Sequence, residues 1–173
     1  MSRDLLQKLI GIARYAPTGH NSQSIRWLVI EDATEVRRLG GLVADWMRSL
    51  LAESAEYALS MHMDRVIDSW ERGIDRILRS APHLIVAHGL STMPLSQSSC
   101  LIALTYLELA APSLGLGTCW AGYFTAAANF YPPLQDALAL PKGHLPYGAV
   151  MIGYPMYRYQ RMPPRNKPEI GWR

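Results

Sequence analysis

Two polar loops and a basic tail carry the residues whose types and spacing suit chemistry. The first loop runs Ala16-Pro17-Thr18-Gly19-His20-Asn21-Ser22-Gln23. Its Asn and Gln amides each present both donors and an acceptor, which suits the imide edge of a flat heterocycle. The second is Gly115-Leu116-Gly117-Thr118-Cys119-Trp120-Ala121-Gly122, where glycines let the backbone approach a planar ligand and aim N–H groups at it. The third is the pair Arg165 and Lys167 after Pro163-Pro164. Residues two apart in an extended chain point to the same side, so both charges can hold one phosphate. Read singly, each has a plainer meaning: a polar helix stop, a helix-to-strand turn, a solvated terminus.

Other chemistries lack their residues. The five histidines, His20, His62, His83, His88 and His144, show no metal-ligand spacing, so no metal site is expected. GxSxG, Walker A and GxGxxG are all absent from the sequence, which removes motif support for a serine hydrolase, a P-loop or a dinucleotide Rossmann site. No side-chain acid, base or nucleophile stands out, and no catalytic residue is assigned.

The elements that must position these loops can be read from periodicity. Leu5, Leu6, Leu9, Ile10 and Ala13 fall at helical spacing behind Ser2, an N-cap residue, and Pro17 and Gly19 stop that helix at the first loop. Trp27 to Ile30 reads as a strand, followed by Asp32 and Glu35 in capping-box spacing ahead of a long helix containing Gly40 and Gly41. A second helix is expected from Asp64 to Arg79. Leu84 to Ala87 is a strand whose unbroken apolar character predicts burial on both faces. A helix from Leu95 to Ser113 leads into the second loop, read as a short strand or loop. A helical stretch around Leu134 to Leu140 and a strand from Tyr147 to Ile152 follow. Helices on a small sheet make the class α/β or α+β.

The 173 residues suit one domain, and 49% apolar content with 18% charged residues describes a folded chain with a core. Two cysteines, Cys100 and Cys119, exclude a disulfide framework and fit a reducing cytoplasm. The N-terminus has no apolar run of signal-peptide type, and Leu101 to Leu116 is broken by Glu108 and Pro112, so neither secretion nor a membrane span is expected. A net charge of +3 is mild, and Arg158, Arg161, Arg165, Lys167 and Arg173 crowd into the tail. One anion site fits that cluster better than nucleic acid, which calls for a broad basic stripe. The unpatterned tail carries Tyr157, Tyr159 and Trp172, which favours an arm lying on a partner.

In this order, with a Gly153-Tyr154-Pro155 turn ahead of Pro163-Pro164-Arg165-Asn166-Lys167-Pro168, the segments resemble the nitroreductase family of flavoproteins over nearly the whole chain. The likeness is greatest to nitroreductase-like domains found fused to ferredoxin-type domains. It implies an α+β sandwich of helices around a small mixed β-sheet, formed by residues 1–173 as a single domain. It also implies an intertwined homodimer in which residues 155–173 lie on the neighbour, with FMN at the interface. By position, Pro17, Thr18, Asn21 and Gln23 match the loop that contacts the flavin ring, generally from the other subunit. Thr118, Cys119 and Trp120 match the segment beside the reactive edge of the ring, and Arg165 and Lys167 match the pair that holds the FMN phosphate.

The implied activity is reduction of nitroaromatics, quinones or similar small acceptors by a ping-pong flavin mechanism. NAD(P)H or a reduced iron–sulfur partner would be the electron donor. The family's opening RRSxR-type motif is missing, for the sequence starts at Ser2-Arg3-Asp4 where the first helix begins. That leaves two further expectations. The chain is a fragment of a longer protein, or it is a weakly flavin-binding or non-catalytic dimeric interaction domain. Ser24-Ile25 stands where the family usually has Pro-Trp.

Overall fold

Strand β2 (His83–Leu90) forms the spine of the molecule. Its side chains alternate between two apolar clusters: Leu84 and Val86 enter one, Ile85 and Ala87 the other. All four are fully buried, as the unbroken apolar run predicts. The computed structural model describes residues 1–157 and 159–173. Arg158, expected in the basic cluster of the tail, lies outside the described residues.

The sheet has four strands in the order β1-β2-β4-β3, where β1 is Arg26–Ile30, β3 is Gly117–Trp120 and β4 is His144–Gly153. All three pairings are antiparallel, so among the described residues the sheet is not the mixed one expected. The difference is one of strand direction only, and the helix–sheet sandwich itself is as expected.

One face is covered by α1 (Arg3–Ala13) and α5 (Ser96–Ala110), through Leu6, Leu9, Leu104 and Leu107. The other face carries α2 (Ala33–Glu53) and α4 (Met63–Glu71), joined by the short α3 (Ala55–Ser60). It also carries α6 (Gly122–Phe130) and α7 (Pro132–Leu138), which contribute Phe124 and Leu134. Ser2 caps α1, its hydroxyl accepting from the Leu5 N–H. Asp32 caps α2, but Glu35 pairs forward with Arg38 and does not close a capping box. Gly40 has a packing reason to lie inside α2, because a Cβ there would sit 3.2 Å from the Trp70 ring.

The helix expected from Asp64 to Arg79 ends at Glu71. Gly73 takes a φ of 81°, and the N–H groups of Gly73 and Ile74 close back on the carbonyls of Trp70 and Ser69. This is the hydrogen-bond pattern of a glycine-terminated helix. Beyond β4 no helix or strand forms among the described residues, and Met156, Tyr157, Tyr159, Met162 and Trp172 stand exposed on the arm. No helix among the described residues is long and apolar enough to cross a membrane.

Candidate functional site

The first loop is a strained, internally braced turn. Gly19 makes it possible: a Cβ there would lie 2.1 Å from Leu95 Cδ1, so only glycine lets the loop rest on the start of α5 without displacing that side chain. His20, Asn21 and Gln23 all have positive φ (53°, 50° and 47°), a conformation uncommon for residues other than glycine. Such strain clusters where a fold holds particular groups for a purpose. The Gln23 N–H donates to Thr18 Oγ1 at 3.1 Å, the Asn21 N–H to the Thr18 carbonyl at 2.9 Å, and Gln23 Nε2 to Asn21 Oδ1 at 3.4 Å.

Pro17, Thr18, Asn21 and Gln23 thereby line one concavity of about 540 Å³ with Tyr15 and Trp27. Arg14 sits at the same concavity and donates to the Tyr15 hydroxyl at 3.0 Å. That contact holds the Tyr15 phenol below its ordinary pKa and leaves a positive rim on the site. Sequence reading passed over Arg14, although its place one turn before the loop was a usable signal.

The second loop is placed by a glycine turn. Gly115 has φ 70°, and the Leu116 N–H reaches back to the Ala111 carbonyl, ending the helical run and starting β3. Thr118 is half-buried, while Cys119 and Trp120 are exposed. The Trp120 indole is fixed twice: Nε1 donates to Glu108 Oε2 at 2.8 Å, and a Cβ on Gly148 would lie 3.4 Å from its ring.

Among the described residues strand β3 pairs only with β4, so its outer side offers unpaired N–H and C=O groups. It runs directly into the first turn of α6, which no side chain caps. Free N–H groups and the helix dipole therefore gather positive potential beside Trp120. Sequence reading missed α6 altogether. An edge strand with open donors, next to an uncapped helix start, fits a planar ligand that carries negative charge.

One chain does not bring the expected residues together. The first loop feeds β1 and the second forms β3, at opposite edges of the sheet. Three strand spacings, roughly 14 Å, separate those edges. Arg165 and Lys167 lie farther along the exposed arm, where Arg165 touches only the Pro164 carbonyl among the described residues. Arg3 pairs with Glu31 and is not directed to either loop.

Three of the histidines pair within the fold. His83 Nδ1 lies 3.0 Å from the Glu31 carbonyl, and His88 Nδ1 lies 2.9 Å from His144 Nδ1. A second concave feature adjoins Trp120. It is a cavity of about 410 Å³ walled by aromatic residues, with Arg76 and Arg79 at its mouth, which sequence reading did not single out.

Comparison with known proteins bears on these features. The nitroreductase family model matches residues 1–154. A curated relative, the iodotyrosine deiodinase of Thermotoga neapolitana, is 30% identical over 118 residues, or 66% of this chain. The chain spans 59% of that relative's length. Two solved structures share the fold. A nitroreductase from Bacteroides fragilis with bound FMN superposes with a TM-score of 0.71 at 19% identity, over 99% of this chain and 89% of that one. A nitroreductase from Desulfitobacterium hafniense with bound FMN gives 0.72 at 24% identity, over 95% and 84%.

Proposed function

This chain belongs to the nitroreductase family, and from that premise we propose that it is an FMN-dependent oxidoreductase of small electron acceptors, nitroaromatics and quinones among them. The observation that carries this reading is the division of the site. A strained polar loop and an open edge strand, each suited to one side of a flat cofactor, sit on opposite edges of the same sheet. Two copies of the chain supply both halves to one ligand. The outer face of α5 supports such pairing, since Ile102, Tyr106 and Leu109 are exposed at helical spacing. So does the arm, whose aromatics have nothing to cover them within one chain.

Bound FMN supplies two-electron transfer between a reduced donor, NADH or NADPH or a reduced iron–sulfur partner, and the acceptor. The chain's own groups bind and orient. Asn21 and Gln23 offer amide donors and acceptors to the polar edge of the ring. The outward N–H groups of β3 donate to ring atoms, and the first turn of α6 favours negative charge there. Arg165 and Lys167, arriving on a partner's arm, neutralise the phosphate. None of these groups has to exchange a proton with the acceptor.

Initial rates of the FMN-loaded protein with NADH and a quinone acceptor test the reading. Parallel double-reciprocal lines are expected, and FMN-loaded protein that turns over no acceptor with any pyridine nucleotide or with a reduced ferredoxin contradicts it. A second reading, reductive dehalogenation of an aromatic ring, is favoured by the 30% identity to a deiodinase. Iodide release from 3-iodotyrosine distinguishes it.

A further inference from the structure

The cavity beside Trp120 is lined by Trp46, Tyr57, Met61, Met63, Tyr123 and Met151, with Arg76 and Arg79 at its mouth. Its floor is apolar: Trp46, Met63, Ile77 and Met151 are all buried. Its walls are tied together, for the Tyr123 hydroxyl donates across the gap to the Met61 carbonyl at 2.8 Å. A volume of about 410 Å³ lies in the range of small-molecule sites. Flat aromatic walls with polarisable thioethers favour a planar ring.

The mouth is built with equal definition. Asp75 is buried and accepts from the N–H groups of Ile77, Leu78 and Ser80 at 2.8–2.9 Å. Arg79 and Ser80 both adopt positive φ, 55° and 53°, so the loop is held in a strained shape. That shape sets Arg76 and Arg79 at the cavity. Among the described residues neither guanidinium has an ion-pair or hydrogen-bond partner, while Arg38, Arg48 and Arg72 are each paired with a carboxylate. No Asp or Glu lines the cavity, and the one carboxylate of the loop, Asp75, is taken up by backbone.

We propose that this cavity is the acceptor subsite and that it selects a planar aromatic molecule bearing a carboxylate, the ring held by the aromatic walls and the carboxylate by Arg76 and Arg79. The assignment rests on the flavin reading above in one respect, that Trp120 adjoins the ring. The anion preference rests on the cavity alone.

Calorimetric titration of the full chain, FMN-loaded, with 4-nitrobenzoate and with its neutral isostere 4-nitrobenzamide tests it. The acid binds about tenfold tighter than the amide, the scale of one or two charge-assisted contacts at an open mouth, and the preference shrinks as salt rises. Combining Arg76→Gln with Arg79→Asn, the latter because asparagine tolerates positive φ, brings the two affinities within about twofold and leaves the amide unchanged. Arg76→Lys, which keeps the charge, retains most of the preference. Equal affinity for acid and amide in the native chain, or a preference that survives the double variant, overturns the proposal. Visible absorbance of the same samples reports whether flavin is held. If it is not, the titration on the flavin-free chain still reads the anion preference, so the two ideas fail separately.

Discussion

His88 shows how one residue can set the pH response of the chain. Its side chain is buried, and burial first, then the neighbouring His144 and Arg26, holds its pKa below the ordinary 6.5. The 2.9 Å Nδ1–Nδ1 contact needs one ring to donate and the other to accept, so two doubly protonated rings cannot share it. The folded state therefore binds fewer protons at this site than the unfolded state does. Stability is full above about pH 6.5 and falls as the pH drops from there toward the depressed native value. Urea midpoints measured from pH 7.5 down to pH 5 should decline over that window, and His88→Asn should flatten the decline. A second residue-scale expectation concerns the two thiols. Burial pushes Cys100 up to about 11, whereas Cys119 is exposed on the proposed flavin edge. A thiol reagent should modify Cys119 alone in the native flavin-free protein, and FMN should slow that reaction several-fold. Labelling of Cys100 first, or indifference to FMN, would contradict the arrangement.

Among the elements, the 72–82 segment has its shape set by Asp75. Replacing it by alanine leaves three backbone N–H groups without their acceptor, at a cost of about 2–3 kcal/mol. Chemical denaturation should register that loss, and hydrogen exchange should place the new mobility in residues 75–80. This segment also marks where periodicity misleads. Apolar spacing through Ile74, Ile77 and Leu78 continues the pattern of α4, yet a left-handed Gly73 and an Asp75 that captures backbone donors break the helix at Glu71. The expectation counted side chains and overlooked the glycine stop. α6 escaped for the opposite reason: Gly122 and a run of small alanines give little contrast between its faces, and its burial comes from the neighbours it packs on. Strong signals were legible. The continuous run at Leu84–Ala87 is a central strand covered on both sides, and Ser2 and Asp32 cap the helices they precede. The two loops were legible as polar or glycine-punctuated breaks between elements, but not their separation across the sheet. That depends on the order β1-β2-β4-β3, a long-range pairing that no local spacing encodes.

For the whole molecule, the proposed pairing with a second copy of the chain accounts for three features at once: the separated loops, the exposed stripe on α5 and the uncovered arm. Leu109 is 75% exposed on that stripe. A charge there would have little effect on a monomer and a large one on a buried interface. Leu109→Glu should lower the sedimentation mass from twice the 19.4 kDa chain toward a single chain, and FMN affinity should fall with it. The central claim, that paired chains assemble a flavin site whose phosphate is held by Arg165 and Lys167, is tested most directly by the visible absorbance of purified protein after FMN is added and the excess removed. The account predicts one flavin retained per chain, with retention lost when Arg165 and Lys167 are both changed to alanine. Folded, dimeric protein that retains no flavin would contradict it, and would leave a nitroreductase-family domain that serves interaction.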